Sequence, residues 1–296
     1  RCEEQVGMFG RISTAMVTPF DNNGNIDFQK TEKLVEYLIH HGTDSIVVAG
    51  TTGESPTLTT EEKLALFKHV VSVVNKRVPV IAGTGTNNTR ASIELTKKAE
   101  QTGVDAIMLV TPYYNKPNQE GIYQHFKAIA ESTHLPVMLY NVPGRTSSSI
   151  APETVIRLSE IDNIVAIKEA SGDLDNMAKI IEKTPDDFAL YTGDDSLTLP
   201  TLSIGGDGVI SVASHVVGDE MQEMIQAFLS GDVKKAGSLH RRLLPLMKEL
   251  FKAPNPVPVK AALQIKGLDV GPVRLPLVPL TTDERTSLAA VIHELG

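Results

Sequence analysis

Val137-Met138-Leu139-Tyr140, Ala151-Pro152-Glu153 and Ile164-Val165-Ala166-Ile167-Lys168 mark one complete strand, helix and strand unit in this chain. The two outer segments are unbroken apolar runs, a pattern typical of parallel strands that are covered on both faces. The middle segment places proline in the first turn of a helix, where a missing N–H breaks no hydrogen bond. The stretch therefore predicts a βαβ unit, the building block of parallel sheets.

The same alternation of strand and helix recurs along the chain with a period of about 30 residues, the length of one βα unit. It predicts eight strands, near residues 13–17, 45–49, 78–82, 106–110, 137–140, 164–168, 189–192 and 208–212. Eight such units predict an α/β fold of the TIM (β/α)8 barrel type. We expect the barrel in residues 8–230 and a helical C-terminal extension in residues 231–296, because a closed sheet has no free edge. Residues 1–7, which are polar and lack periodicity, are predicted to be an appendage.

Composition argues against several classes of function. The 296 residues are 41% hydrophobic and 22% charged, which is ordinary for a globular protein. No apolar run approaches the roughly 18 residues that a membrane span requires, and no apolar signal core opens the sequence, so we expect a cytoplasmic location. A net charge of −8 argues against nucleic acid or an anionic membrane as partner. With Cys2 as the single cysteine, neither a disulfide framework nor a thiolate metal site is expected.

Lys168 is the candidate nucleophile, because it ends a buried apolar strand. Such a lysine either extends its stem to reach a surface carboxylate or loses hydration at the strand end. Desolvation favours the uncharged amine, which is the form that makes Schiff bases with carbonyl substrates. Tyr140 ends the preceding strand, so the two side chains should stand side by side at the mouth of the barrel. Alone, Tyr140 would be read as a core aromatic residue; beside Lys168, we interpret its phenol as a proton carrier.

Other kinds of site are poorly supported by the sequence. Gly83-Thr84-Gly85 follows a strand, but Asn88 stands where a dinucleotide fingerprint requires a third glycine. The adjacent His40 and His41 would point about 100° apart on a helix, which makes them poor joint metal ligands. Residues 211–215 contain no glycine to build a phosphate loop. We therefore expect no metal, no nucleotide cofactor and a substrate without phosphate.

Three motifs lie where strands of the predicted barrel end: Gly50-Thr51-Thr52-Gly53-Glu54, the segment Tyr140-Asn141-Val142-Pro143-Gly144-Arg145-Thr146, and the Lys168 strand followed by Gly193-Asp194-Asp195. In this order the chain resembles the dihydrodipicolinate synthase and N-acetylneuraminate lyase family of pyruvate-dependent aldolases, from Met8 to the C-terminus. The resemblance implies a covalent pyruvate imine on Lys168 and no other cofactor.

The resemblance also implies roles for the remaining site residues. Proton transfer is assigned to three residues, Tyr140, Thr51 and Tyr114. Tyr114 is expected to come from the neighbouring subunit across a tight dimer, within a homotetramer built as a dimer of dimers. Pocket and carboxylate-binding roles fall on four residues: Thr52 for pyruvate, Arg145 for the second substrate, and Gly193 and Ile210 for the walls around the imine.

Arg145 and the Gly-Thr-Thr-Gly-Glu motif resemble the synthases of this family more than its sugar-acid lyases. The resemblance then implies condensation of pyruvate with L-aspartate 4-semialdehyde to hydroxytetrahydrodipicolinate, in the biosynthesis of diaminopimelate and lysine. One alternative is an N-acetylneuraminate lyase or a 2-keto-3-deoxy-sugar-acid aldolase. Another alternative is a barrel without catalysis that serves as a binding module.

Regulation by the end product is expected to be weak. In lysine-inhibited members of the family, a glutamate at the position of Ala91 pairs the ammonium of the effector. Here the carboxylate is missing and the cation Lys63 stands at a nearby position of the same site. Removing an opposite charge and adding a like one disfavours a cationic ligand. We therefore predict weak or absent inhibition by lysine.

Overall fold

A computed structural model of the chain describes residues 7–296. Eight parallel strands pair in sequence order and close into a barrel, since β1 pairs with both β2 and β8. The strands are β1 Ile12–Ala15, β2 Ser45–Val48, β3 Val80–Gly83, β4 Ala106–Val110, β5 Val137–Asn141, β6 Ile164–Glu169, β7 Ala189–Thr192 and β8 Gly208–Ser211. The predicted TIM barrel is confirmed. Residues 1–6 of the predicted appendage, with Cys2, lie outside the described residues.

Helices follow the strands and cover the outside of the barrel. They are α1 Phe28–His40, α2 Thr60–Val74, α3 Thr89–Glu100, α4 Gln119–Ala130, α5 Pro143–Thr146, α6 Pro152–Leu158, α7 Leu174–Lys183, α8 Thr198–Ser203, α9 Ser214–Leu229, α10 Val233–Glu249, α11 Val257–Ile265 and α12 Thr282–Glu294. The last three form the predicted helical extension, and the boundary at residue 230 stays a prediction. Between residues 7 and 296, no helix combines the length and apolarity needed to cross a membrane.

Local chemistry explains where these elements begin. Thr59 caps α2 by accepting from the N–H of Glu62, while the Glu62 carboxylate accepts from the N–H of Thr59, a reciprocal capping box. Strand β3 begins two residues later than the apolar run predicts. Pro79 explains the difference, because it has no N–H to donate and only its carbonyl joins the ladder, accepting from Ile46.

The amino end of the barrel is closed by aromatic packing. Phe9, which precedes β1, is 1% exposed and meets the ring of Tyr191 edge-on, with centroids 6.3 Å apart. The Tyr191 hydroxyl donates to the carbonyl of Gly10 at 2.7 Å. Above them, side chains such as Val47 and Met138 fill the interior. The barrel is therefore solid at this end, and any deep cavity must open at the carboxyl ends of the strands.

His215, at the start of α9, is a fully buried histidine held in its neutral form. Its Nδ1 donates to the carbonyl of Val212 at 2.8 Å, and its Nε2 accepts from the N–H of Val17 at 3.2 Å. Burial lowers the pKa of His215 from 6.5 to about 4. Protonation at Nε2 would break the contact with Val17, so the folded state resists taking up this proton.

We expect this histidine to make the fold sensitive to acid. Between pH 6.5 and about 4, the unfolded chain binds a proton at position 215 that the folded chain does not, so stability falls as the pH is lowered. The loss approaches about 3 kcal/mol at the acid end of this window. Urea unfolding as a function of pH should show a shallower acid slope for His215→Gln than for the wild type, with parallel curves above pH 7. Equal slopes below pH 6 would contradict this interpretation.

Candidate active site

A cavity of about 740 Å³ opens at the carboxyl ends of the strands. Four predicted site residues line it: Thr51, Tyr114, Tyr140 and Arg145. The other four do not line it. Lys168 lies against the Tyr140 ring, Gly193 beside Lys168, Ile210 in the same interior cluster as Tyr140, and Thr52 next to Thr51 in sequence. The structure thus brings residues from six different strands and the loops after them to one end of the barrel, as a closed parallel barrel requires.

Lys168 and Tyr140 are direct neighbours, with paired Cα positions on β6 and β5. The Nζ atom of Lys168 lies 3.9 Å from the centroid of the Tyr140 ring. Lys168 is only 6% exposed and Tyr140 4%. The lysine therefore does not reach the surface, which excludes the alternative that this side chain extends to a surface carboxylate. Its amine stands against an aromatic face, beside the cavity that the tyrosine lines.

Gly193 leaves the space that the lysine side chain needs. A Cβ at this position would lie 3.0 Å from Cε of Lys168 and 2.7 Å from Cβ of Ala170, closer than side chains tolerate. The N–H of Gly193 donates to the carbonyl of Glu169 at 2.9 Å, which fixes the approach of the two strand ends. Ile210, 1% exposed, belongs to the same interior cluster as Tyr140. These two residues shape the walls around the amine.

The two threonines occupy different environments on the loop after β2. Thr51 lines the cavity, whereas Thr52 is 3% exposed. The Oγ1 atom of Thr52 accepts a hydrogen bond of 2.9 Å from Nδ2 of Asn255, which precedes α11 in the C-terminal extension. The sequence marked Thr52 but gave no sign that Asn255 would contact it.

Arg145 and Tyr114 lie at the outer rim. Arg145 is an exposed residue of the short helix α5. Tyr114 is 90% exposed and has a left-handed backbone, with φ at 71°. Left-handed backbone is costly for a bulky side chain, and an aromatic ring of this exposure gains almost no burial within its own chain. The ring of Tyr114 therefore stands in solvent at the rim of the cavity.

Comparison with known proteins identifies the family. The profile of the Dihydrodipicolinate synthetase family matches residues 8–295. The chain belongs to this family. It is 70% identical over 286 residues to the 4-hydroxy-tetrahydrodipicolinate synthase of Bacillus velezensis, covering 97% of this chain and 99% of the relative.

Solved structures of dihydrodipicolinate synthases agree with this membership. The enzyme of Bacillus anthracis superposes with a TM-score of 0.96 at 69% identity, covering 96% of this chain and 98% of that one. The chloride-inhibited enzyme of Acinetobacter baumannii, complexed with pyruvate, gives a TM-score of 0.94 at 45% identity, covering 97% and 99%. These relatives confirm the predicted family and lyase class, and they favour the synthase function over the sugar-acid alternative.

Three largely buried acidic residues lie close to Lys168 in sequence or on the neighbouring strand end. The sequence motifs assign them no role. Burial raises the pKa of Glu169, although the Asn141 amide and the N–H of Ser171 donate to its carboxylate. Burial also raises the pKa of Asp194, which the charge of Lys168 partly offsets. Asp195 is fully buried and braces the loop after β8, accepting from the N–H of Ala213 at 2.9 Å among other donors.

A second buried cluster ties the family motif at residues 50–54 to the extension. Glu54, 4% exposed, accepts from Nζ of Lys260 at 2.8 Å and from the N–H of Arg274 at 2.9 Å. Lys260 lies 4.3 Å from the centroid of the Phe20 ring and is itself 4% exposed. Burial lowers the pKa of Lys260 to about 8, although the Glu54 carboxylate opposes this change. Neither Lys260 nor Arg274 was predicted to contact the motif.

Metal ligands are not clustered in the part of the chain that the structure describes. Within residues 7–296, no group of three or more histidine, cysteine, aspartate or glutamate side chains is arranged to hold a metal ion.

We expect the Glu54 and Lys260 pair to be strongly coupled. Glu54→Gln should lower the free energy of unfolding by about 3 to 5 kcal/mol, because it leaves a buried ammonium without its counter-charge. Glu54→Gln combined with Lys260→Met removes both charges and should recover much of that loss. Urea denaturation of the three proteins provides the measurement. A double variant less stable than Glu54→Gln alone would contradict the coupling.

Proposed function

We propose that the chain acts as a 4-hydroxy-tetrahydrodipicolinate synthase, with pyruvate held as an imine on Lys168 and L-aspartate 4-semialdehyde as the second substrate. The observation that carries the proposal is the buried amine of Lys168, 3.9 Å from the Tyr140 ring beside a cavity that Arg145 lines. A buried amine, a neighbouring phenol and a guanidinium at the rim are the groups that imine chemistry on a keto acid requires. The pyruvate complex of the Acinetobacter baumannii relative supports the first substrate.

The chemistry begins with attack of the uncharged Lys168 amine on the ketone carbon of pyruvate. The resulting carbinolamine loses water to give the imine, and loss of a methyl proton gives the enamine. The enamine carbon then attacks the aldehyde carbon of the semialdehyde. Finally, the amino group of the second substrate attacks the imine carbon and releases Lys168 as the ring closes.

Each of these steps moves a proton to or from an oxygen, nitrogen or carbon atom. The Tyr140 ring contacts the amine, with Nζ of Lys168 3.9 Å from its centroid, so we assign its phenol the transfers at the carbinolamine and at the aldehyde oxygen. Thr51 lines the same cavity, and with a Tyr114 supplied by the neighbouring subunit it would pass protons toward solvent. This assignment needs no group beyond the side chains of the protein.

Both substrates carry a carboxylate, and the cavity suits carboxylate groups. Its lining includes the cations Lys63, Lys116 and Arg145. A guanidinium at the rim can hold the carboxylate of the semialdehyde through two parallel hydrogen bonds. Thr52, deep in the site, would hold the carboxylate of pyruvate. Cations around a narrow mouth also attract anionic substrates, although the whole chain carries a charge of −8.

Oligomerisation follows from the position of Tyr114. Its ring is 90% exposed and gains almost no burial within its own chain. We propose that a neighbouring subunit receives this tyrosine in a tight dimer, and that two such dimers form a tetramer. Each active site would then be completed only in the assembled enzyme.

Reductive trapping tests the imine. Wild-type protein treated with pyruvate and borohydride should gain a covalent adduct, and Lys168→Ala should gain none. Peptide mapping provides an internal control, because Lys260 is a second buried lysine, with a pKa of about 8. An adduct on Lys260, or no adduct on the wild type, would refute the assignment of Lys168.

Mixed oligomers test the sharing of Tyr114. Lys168→Ala and Tyr114→Phe subunits, refolded together in equal amounts, should recover roughly a quarter of the wild-type activity. About half of the dimers would be mixed, and one of the two sites in each mixed dimer has both residues. The matched control pairs Lys168→Ala with Tyr140→Phe, two residues of one chain's site, and should recover nothing. Equal activities in the two mixtures would show that Tyr114 is not exchanged.

Inhibition by lysine should be weak or absent. Lys63 lines the cavity beside Ser55 and Pro56, and burial lowers its pKa without removing the repulsion that its charged form exerts on a cationic effector. Steady-state rates should be nearly unchanged at millimolar lysine. Inhibition at sub-millimolar lysine would show that other contacts outweigh this charge.

A further inference from the structure

The C-terminal extension touches the site at the residue that would hold the pyruvate carboxylate. Nδ2 of Asn255 lies 2.9 Å from Oγ1 of Thr52, and both residues are buried, at 8% and 3% exposure. The two residues are 203 positions apart in sequence. The contact therefore depends on how the extension docks onto the barrel.

The direction of this hydrogen bond has a chemical consequence. An amide nitrogen can only donate, so the Thr52 hydroxyl must accept from it. A hydroxyl has one proton, and the bond from Asn255 leaves that proton free to point elsewhere. A carboxylate can only accept, so a hydroxyl is useful to pyruvate only when its proton is directed at the substrate. Asn255 thus favours the state of Thr52 that is competent to bind pyruvate.

The backbone beside this amide is anchored by the extension, while Oδ1 of Asn255 is buried and has no hydrogen-bond partner among the described residues. Asn255 stands two residues before α11, and α11 carries Lys260, whose ammonium pairs with Glu54 at 2.8 Å. Glu54 lies two residues after Thr52 on the same loop. Helix α11 and the segment just before it therefore contact two groups of the loop after β2, the Thr52 hydroxyl and the Glu54 carboxylate.

We propose that Asn255 is a positioning residue, which orients the Thr52 hydroxyl as a donor to the carboxylate of pyruvate. The inference rests on the proposed function, in which Thr52 binds that carboxylate. Asn255 acts through Thr52 and does not touch the reacting atoms.

Removal of the amide tests the proposal. Asn255→Ala should raise the pyruvate concentration needed for half-maximal borohydride trapping about tenfold, the equivalent of one lost oriented hydrogen bond. The rate at saturating pyruvate and the KM for the semialdehyde should change less than twofold. Asn255→Asp, of nearly the same shape, replaces the donor by an acceptor and should weaken pyruvate binding at least as much. If the alanine variant does not fold, the aspartate variant supplies the measurement.

A double-mutant cycle separates positioning from general support. In a Thr52→Val background, Asn255→Ala should cause no further loss of pyruvate affinity, because the hydroxyl that it orients is gone. Val257→Ala is the matched control, since Val257 is buried near the start of α11 and no hydrogen bond joins its side chain to Thr52. It should leave the half-saturating pyruvate concentration unchanged.

Two results would overturn the inference: additive losses in the cycle, or unchanged pyruvate affinity in both Asn255 variants. Either result, obtained with a wild type that forms the adduct on Lys168, leaves the proposed function standing. Absence of the wild-type adduct would instead refute the proposed function itself.

Discussion

Closure of the sheet is the constraint on which the rest of the structure depends. Pairing of β1 with β8, through Ile12 opposite Val209, joins the first strand to the last and removes both edges. All eight strands run in the same direction, so their carboxyl ends meet at one mouth. Lys168 and Tyr140 face each other there because their strands pair in register. The buried amine, the phenol and the cavity all follow from this single topological fact.

The sequence was informative wherever the structure is repetitive. Continuous apolar runs located eight strands to within two residues, and the βα period implied closure, which placed Tyr140 beside Lys168. The contacts between the C-terminal extension and the barrel could not be predicted from apolar runs or from the βα period. Asn255 and Lys260 reach Thr52 and Glu54 across 203 and 206 positions, and no local pattern encodes how the extension docks. The outward position of Tyr114 was implied by family resemblance alone, since composition and periodicity do not reveal an exposed ring.

Charges are segregated around the amine. Cations line the open side of the cavity, where Lys116 and Arg145 stand, whereas carboxyl groups lie at the ends of β6 and β7. Those of Glu169 and Asp195 are buried and hydrogen-bonded, and Asp194 is half-buried. Burial raises the pKa of all three acids. In the proposed function, the carboxylates of the substrates thus meet positive charge on entry, while the negative groups that brace the loops lie elsewhere.

The aromatic closure at the amino end has a consequence for the order of events. Phe9 and Tyr191 fill the barrel floor, so molecules reach Lys168 only through the mouth that Arg145 borders. In the proposed function, the keto acid at the lysine must therefore enter before the substrate held at the rim, and the product must leave before the next keto acid can bind. The packed floor, far from any reacting atom, thereby sets the order in which substrates bind and product is released.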